Sequence, residues 1–330
     1  MKSWQVVTLG EPDEALRLTD MQKPEPGEGE VLIRVKAAAL NFFDILQCKG
    51  EYQEKPELPF TPGAEIAGEI TVVGSGVTLQ PGTRVLATPS LPAGGFSEWI
   101  IVKESEAFPI PEEMSYEEAA AFFITYQTAY FALNRSGRLK KGEVLLVHAG
   151  SGGVGSAAIQ LGKAAGAKVI ATAGSDEKAE VCRQLGADLA INYRTEGFIP
   201  VVKEWTNGKG ADVIFDPVGG ETFDQSRRCV AFEGRLLVIG FAGGEIAQAP
   251  TNHALVKNYS IVGIHYGLFR KLYPKETVKA HEKLVALFKE GAIRPLLYSR
   301  NTFDRLPEAL QELGSRKTYG KLVLITEETM

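Results

Sequence analysis

The spacing of hydrophobic positions changes near residue 125 and again near residue 266. Before residue 125, short alternating apolar runs are separated by Gly- and Pro-rich turns, as at 65–73 and 94–102. Short strands interrupted in this way predict a closed or partly closed β domain. From 125 to 265, short apolar runs alternate with helical patterns, which predicts six parallel strands in a doubly wound α/β sheet.

The tail from residue 266 adds two helical patterns and two strand-like runs, at 275–289, 306–313, 294–298 and 320–325. It is too short to bury a core of its own. We therefore expect a β-rich domain formed by residues 1–124 plus 266–330, with an α/β domain at 125–265 inserted between its two parts.

A glycine-rich turn follows the first apolar run of the α/β region, in the sequence VLLVHAGSGGVG at 144–155. Gly150, Gly152 and Gly155 fit G-x-G-x-x-G, whose glycines allow a sharp turn, close approach to a pyrophosphate and tight helix–strand packing. Any glycine-rich turn could match that short motif. Its position between a strand and a helix favours dinucleotide binding, and the expected contacts are Gly150, Ser151, Gly152, Gly153, Val154 and Gly155.

The end of the second strand of this region predicts NADPH as the cofactor. NAD-binding domains place Asp or Glu there to bind the ribose 2′-hydroxyl, but this strand ends in Ala173, followed by Gly174 and Ser175. Ser175 can donate a hydrogen bond to a 2′-phosphate, and Lys178 adds a positive charge. The acidic pair at 176–177 would repel that phosphate if it turned inward.

Composition excludes several other classes of protein. With 330 residues, 44% hydrophobic and 23% charged, the chain is typical of a globular protein of about two domains. A net charge of -5 argues against a nucleic-acid surface. We find no apolar run long enough for a membrane span and no signal-peptide core, so we expect a cytoplasmic protein.

Three cysteines, Cys48, Cys182 and Cys229, are far apart in the sequence. They form neither a C-x-x-C unit nor a disulfide framework. We expect three reduced thiols with packing roles.

Several motifs stand in the order found in the medium-chain dehydrogenase/reductase superfamily, namely Gly63-x-Glu65-x-x-Gly68, Pro81-Gly82-x-Arg84-Val85, the turn at 149–155 and Gly320-Lys321-x-Val323-Leu324. The sequence resembles that superfamily over essentially its full length. Segments 60–65 and 50–52 and the pair Asn41-x-x-Asp44 resemble its zeta-crystallin-like NADPH:quinone oxidoreductases. The resemblance implies a Rossmann doubly wound parallel sheet inserted into a β-rich GroES-like catalytic domain.

The chain departs from the zinc alcohol dehydrogenases of that superfamily. Those enzymes have Cys at the position of Asn41 and His at the position of Ala64, and a four-cysteine lobe where residues 87–94 contain no cysteine. A catalytic zinc needs about three Cys, His or carboxylate ligands. We therefore expect no metal and a reaction carried by the nicotinamide.

The resemblance also implies roles for single residues. Asn41 and Asp44 would lie near the nicotinamide ribose, Tyr52 would donate to a substrate oxygen, and Thr128 would face the nicotinamide. Each has a plainer interpretation, as a helix start, a surface tyrosine or part of an amphipathic helix. Tyr193 matches a tyrosine that contacts the phosphate in the quinone oxidoreductases.

The loops after the fourth and fifth strands should lie at the carboxyl ends of those strands, where ligands bind in sheets of this kind. They add Val218, Ile239, Gly240 and Phe241 to the expected cofactor contacts. Lys321 of the C-terminal motif is a further candidate.

The function expected from the resemblance is hydride transfer from NADPH to a quinone. Two alternatives stay open, namely an enone or enoyl-thioester reductase and a catalytically silent NADPH-binding protein. The last strand, at 259–264, leaves an apolar sheet edge, and relatives cover such an edge with a second copy, so we expect a homodimer.

Overall fold

The computed structural model describes residues 1–326 and divides the chain into two compact units. The first unit combines residues 1–124 with the segment that begins at Pro295, and the second runs from Thr125 to Arg294. The chain therefore crosses between the units twice, after Ile124 and after Arg294. Within residues 1–326, no helix is long and apolar enough to cross a membrane.

The elements follow one another as strands β1–β15 and helices α1–α12. The strands are β1 (Lys2–Val6), β2 (Leu16–Asp20), β3 (Glu30–Ala39), β4 (Ile66–Val73), β5 (Arg84–Ala87), β6 (Trp99–Lys103), β7 (Ala107–Pro109), β8 (Val144–Val147), β9 (Lys168–Ala173), β10 (Leu189–Asn192), β11 (Ala211–Asp216), β12 (Val230–Val238), β13 (Ser260–Gly263), β14 (Leu297–Thr302) and β15 (Lys321–Ile325). The helices are α1 (Pro12–Ala15), α2 (Phe42–Cys48), α3 (Tyr116–Ala120), α4 (Phe123–Tyr130), α5 (Gly153–Ala164), α6 (Asp176–Gln184), α7 (Phe198–Trp205), α8 (Gly220–Cys229), α9 (Thr251–Lys257), α10 (Tyr266–Leu272), α11 (Pro274–Lys289) and α12 (Leu306–Gly314).

The first unit is built on a seven-stranded sheet of order β14-β15-β3-β4-β5-β7, in which β6 also pairs with β3. Its long strand β3 is buried over most of its length, with Val31, Ile33 and Val35 in the hydrophobic core and Arg34 as its one exposed residue. The C-terminal strand β15 pairs antiparallel with β3, and the indole of Trp4 donates to the carbonyl of Phe303 at 2.8 Å. The segment from Pro295 thus completes the first unit.

The second unit contains a six-stranded parallel sheet of order β10-β9-β8-β11-β12-β13. In chain order this is 3-2-1-4-5-6, so the order reverses between β8 and β11, and the predicted doubly wound sheet is confirmed. Its core includes Leu146, Ile170, Ile214 and Leu236, which stand on the four central strands.

Helices α10 and α11 lie in the second unit, whereas the sequence analysis placed them in the first. The ring of Phe269 stacks on Phe131 at 4.2 Å, and the side chain of Gln127 donates to the carbonyl of Thr277 at 3.1 Å. These contacts move the second crossing from 265/266 to 294/295. An amphipathic pattern shows that a helix packs, but not which unit it packs on.

All three cysteines are buried. Burial raises the pKa of the Cys48, Cys182 and Cys229 thiols to about 12. They are protonated packing residues at neutral pH, as the sequence analysis expected.

We expect Gly68→Ala to destabilise the first unit. Gly68 lies in β4, and a Cβ there would overlap the carbonyl oxygen of Arg34 and approach Cγ2 of Ile33 to 2.8 Å. Overpacking of this kind typically costs about 1–3 kcal/mol, so the thermal midpoint should fall by several degrees. Gly197→Ala is the control, because its Cβ would meet only Pro200, at 3.7 Å. Equal midpoints for the two variants would contradict the prediction.

Candidate functional site

The glycine-rich turn joins β8 to α5, with Gly152 as the residue preceding the helix. A Cβ at Gly155 would overlap the carbonyl oxygen of Ala149, and one at Gly150 would lie 2.9 Å from both Ala171 Cβ and Cys182 Sγ. These two positions therefore have no room for a side chain, because helix and strand pack closely there. The turn places backbone groups and the helix N-terminus at the reversal point of the sheet, where a diphosphate binds in such folds.

His148 fixes the end of β8 beneath this turn. Its Nδ1 lies 2.9 Å from Thr172 Oγ1 and its Nε2 lies 2.8 Å from Ser226 Oγ. Ser226 donates its own proton to the carbonyl of Thr222, so its oxygen accepts from His148 Nε2–H. Complete burial lowers the pKa of His148 to about 4. The imidazole is thus neutral at pH 7 and links β8 to β9 and α8.

Polar and positive side chains converge on Gly174 at the end of β9. A Cβ on Gly174 would lie 2.9 Å from the Tyr193 hydroxyl and 3.7 Å from Arg194 Nε. Ser175 begins α6, where its Oγ accepts from the backbone N–H of Lys178 at 3.2 Å. We call these five residues the phosphate corner.

Electrostatics in the phosphate corner favour a bound anion. Burial and then the neighbouring charge of Arg194 lower the pKa of Lys178, while Glu177 acts in the opposite direction. Asp176, one of the two acids that could have repelled a phosphate, accepts a hydrogen bond from Asn192 at 2.8 Å. Sequence reasoning missed Arg194, and its only signal was its place directly after Tyr193.

The four residues expected in the loops after β11 and β12 are brought together. The buried carboxylate of Asp216 accepts from the backbone N–H groups of Val218 at 2.8 Å and Gly219 at 3.1 Å. Backbone bonds from Ala242 to Pro217 and from Gly243 to Val218 hold the two loops side by side. The expected contacts Val218, Ile239 and Gly240 are half-buried, and Phe241 is exposed.

A buried polar network occupies the centre of the first unit. Lys321 uses all three ammonium protons, on the Leu40 carbonyl at 2.6 Å, Asn41 Oδ1 at 2.7 Å and Glu65 Oε1 at 2.8 Å. Asn41 Nδ2 also donates to Glu65 Oε1, at 3.0 Å, and Glu65 Oε2 accepts from the backbone N–H of Ile124 at 2.9 Å. Every polar atom of the Glu65 and Lys321 side chains is therefore satisfied.

Asp44 closes this network at the start of α2. Its carboxylate accepts from the backbone N–H of Asn41 at 2.7 Å. Burial raises the pKa of Asp44 to about 7, although that N–H group and the charge of Lys321 act in the opposite direction. Asp44 therefore exchanges a proton near neutral pH.

The two remaining catalytic candidates lie in different units. Tyr52, in the first unit, is half-buried and stacks on Phe43 with ring centroids 5.3 Å apart. Burial, followed by the charges of Glu54 and Asp44, raises the pKa of its phenol. Thr128 is half-buried on α4 in the second unit. Their expected roles stay predictions.

Lys321 was expected to contact the cofactor. Its buried ammonium group instead has three protein acceptors and orients Asn41. Direct contact of Lys321 with a cofactor stays a prediction, and this arrangement does not favour it.

Comparison with known proteins assigns the chain to a family. The model described as "Alcohol dehydrogenase GroES-like domain" matches residues 27–112, and that described as "Zinc-binding dehydrogenase" matches residues 153–285. A quinone oxidoreductase-like protein 2 homolog of Nematostella vectensis is 39% identical over 99% of this chain and 90% of its own length. The human quinone oxidoreductase is 32% identical over 98% of each chain. The Escherichia coli quinone oxidoreductase structure, complexed with NADPH, has a TM-score of 0.91, with 30% identity over 98% of this chain and 100% of that chain.

The chain belongs to the quinone oxidoreductase family of the medium-chain dehydrogenases/reductases. The chain is an oxidoreductase, and the expected resemblance is confirmed. Its GroES-like and Rossmann-type parts correspond to the β-rich sheet of the first unit and the parallel sheet of the second.

The name of one matching family, zinc-binding dehydrogenase, implies zinc, but the residues of this chain do not fit that ion. Both polar atoms of the Asn41 side chain are bonded to protein groups, and Ala64 has no donor atom. The ammonium of Lys321, 2.7 Å from Asn41 Oδ1, would repel a second cation. In the part of the chain that the structure describes, we find no group of three or more His, Cys, Asp or Glu side chains that could hold a metal.

We expect Asp44→Asn to change how stability depends on pH. A carboxyl group whose pKa is raised in the folded state stabilises the protein fully below about pH 4, and this contribution is lost as the pH rises through about 7. The shift corresponds to roughly 4 kcal/mol, and an amide removes it. The thermal midpoint of Asp44→Asn relative to wild type should therefore rise between pH 5 and pH 8. The control is the exposed residue Asp20, since Asp20→Asn should show no such trend. A midpoint difference for Asp44→Asn that is the same at both pH values would contradict the assignment.

Proposed function

We propose that the protein is an NADPH-dependent reductase that transfers a hydride to quinones. The observation that carries this proposal is the phosphate corner, where Ser175, Lys178, Tyr193 and Arg194 converge beside a strand end without a carboxylate. Two adjacent cations and two hydroxyl groups suit a dianionic 2′-phosphate better than a neutral ribose hydroxyl group. The NADPH complex of the Escherichia coli relative supports the same cofactor.

The residues that would hold NADPH form three groups at the carboxyl ends of the strands of the parallel sheet. The turn at 150–155 would bind the diphosphate, and the phosphate corner would bind the 2′-phosphate. The paired loops with Val218 and 239–241 would contact the nicotinamide half. When bound, NADPH would supply the hydride.

The first unit would supply the proton donor. The raised pKa of Tyr52 keeps its phenol protonated at neutral pH, and the stack on Phe43 restricts the ring. Such a hydroxyl group can donate to an acceptor oxygen as negative charge develops there. Asn41, oriented by Lys321, would lie near the nicotinamide ribose, together with Asp44.

The proposal also names a class of hydride acceptor, the quinones. The names of the relatives favour quinones, while an enone or enoyl thioester would require the same hydride and, in addition, a proton. NADPH consumption against ortho- and para-quinones, enals, enones and enoyl-CoA esters separates these classes. If NADPH binds and no acceptor is reduced, the protein is a catalytically silent NADPH-binding protein. The expected cytoplasmic location stays a prediction.

We expect the phosphate corner to discriminate between NADPH and NADH. Lys178→Ala and Arg194→Ala should each raise the Kd for NADPH at least several-fold, because each removes a charge-assisted contact worth roughly 1.5–3 kcal/mol. The Kd for NADH should change little. Lys168→Ala is the matched control, since Lys168 is exposed at the opposite end of the same strand, β9. Fluorescence titration measures the Kd of each cofactor for wild type and for the three variants. Wild-type protein that binds both cofactors equally would refute the cofactor assignment.

We expect Tyr52→Phe to affect enones more than quinones. Reduction of an enone needs a proton at carbon or oxygen, whereas a hydroquinone anion can take its proton from water. Loss of one acid catalyst should therefore lower kcat for enones about tenfold or more and leave kcat for quinones within a few-fold. Steady-state kinetics with one substrate of each class measures the ratio. Unchanged rates with both substrates would remove Tyr52 from the mechanism.

We also expect a homodimer formed through β13. Among the described strands, β13 pairs with β12 alone and forms one edge of the parallel sheet. Exposed apolar side chains lie on this strand and on α9 before it, namely Ile261, Leu255 and Val256. A twofold pairing of this edge would cover them. Sedimentation at micromolar concentration should give twice the chain mass, and a monomer would exclude this interface.

A further inference from the structure

Gln160 makes two hydrogen bonds to the backbone of a single residue, Arg294. The backbone N–H of Arg294 donates to Gln160 Oε1 at 2.6 Å, and Gln160 Nε2 donates to the Arg294 carbonyl at 3.0 Å. Gln160 is 7% exposed. Its amide thus pairs with Arg294 as a neighbouring β-strand would, and both partners use their donor and their acceptor.

Arg294 is the last residue of the second unit before the chain crosses to the first. Packing of Arg294 and of the residue before it also holds this connection in place. Ile293 is buried at 1% exposure, and the guanidinium of Arg294 lies over the ring of Phe288, 6.0 Å from its centroid. Connections are usually solvated and mobile, so a buried side-chain clamp at the crossing itself is unusual.

The clamp comes from α5, the helix that begins in the glycine-rich turn. The point at which the chain leaves the second unit is therefore attached to the proposed cofactor-binding helix. The first crossing is held in a similar way from the other unit, where Glu65 Oε2 accepts from the backbone N–H of Ile124 at 2.9 Å. Each crossing is thus held by hydrogen bonding to a buried side chain.

We infer that Gln160 is a positioning residue for turnover, which sets the second crossing relative to the cofactor-binding helix. This inference rests on the proposed function, because the residues proposed for the cofactor and Tyr52 lie in different units. Gln160 itself touches neither the phosphate corner nor the loops after β11 and β12 in the contacts described above. Its effect should therefore appear in kcat and not in cofactor affinity.

The experiment compares Gln160→Met, which keeps the length of the side chain and removes both hydrogen bonds, with wild type. The control is Gln225→Met, because Gln225 lies on α8 and bonds only the exposed Glu221. Hydrogen exchange of residues 291–296, the Kd for NADPH and kcat for a reactive quinone are measured at 25 °C. We expect exchange at 291–296 to rise at least tenfold, kcat to fall at least fivefold, and the Kd to change less than twofold.

Gln160→Glu tests the same clamp by rescue. A protonated carboxyl group can accept from the Arg294 N–H and donate to its carbonyl, whereas a carboxylate can only accept and faces the carbonyl oxygen. Exchange at 291–296 and the ratio of variant to wild-type kcat should therefore approach wild-type values near pH 5 and depart from them near pH 8. This variant also keeps the test informative if Gln160→Met fails to fold.

Two outcomes would overturn the inference. Faster exchange with unchanged kcat would make Gln160 a purely structural residue, and unchanged exchange in both variants would show that the clamp does not restrain the crossing. Failure of the proposed function gives a different result, since wild-type protein would then bind no NADPH or reduce no acceptor. The exchange measurements do not depend on that outcome.

Discussion

The buried ion pair of Glu65 and Lys321 is the interaction on which the first unit depends. Burying one charge without a partner is costly, and removal of one member of such a pair typically costs about 3–5 kcal/mol. The cost is avoided here because each polar atom of the two side chains has a partner. The pair connects the end of β3, the start of α2, the residue before β4 and the C-terminal strand β15. Correct docking of that strand therefore brings Asn41 into position at the same time.

The second unit solves the same problem without a buried ion pair. Its central polar groups are neutral or bonded to backbone, as with His148 between Thr172 and Ser226. Close approach of helix to strand is achieved by the absence of side chains at Gly150 and Gly155. The cations of the phosphate corner lie at the same end of the sheet, where the proposed ligand would neutralise them, and the buried carboxylate of Asp216 is bonded to backbone N–H groups. The first unit thus uses a buried ion pair to hold its strands together, and the second unit does not.

Local patterns in the sequence predicted those structural features that are determined by residues close together in the chain. The glycine-rich turn, each single strand of the parallel sheet and the helical pattern at 275–289 are examples, since each is a short continuous segment of the chain. The partners of Lys321 could not be predicted, because Glu65 lies 256 positions away and pairing across that distance leaves no local pattern. The unit to which α10 and α11 belong could not be predicted either, because an amphipathic pattern does not show which part of the chain covers the apolar face. Arg194 was missed because a single arginine in a turn resembles any solvated residue.

The deep burial of the cysteines has a chemical consequence for the proposed function, because the proposed acceptors are electrophiles. Quinones and enones alkylate thiolates by conjugate addition, and the reactive fraction of a thiol falls tenfold for each unit by which its pKa exceeds the pH. With thiol pKa values of about 12, Cys48, Cys182 and Cys229 contain about one thiolate in 10⁵ at neutral pH, and none of the three is exposed. Burial would therefore protect these three cysteines from alkylation by acceptors of the proposed class.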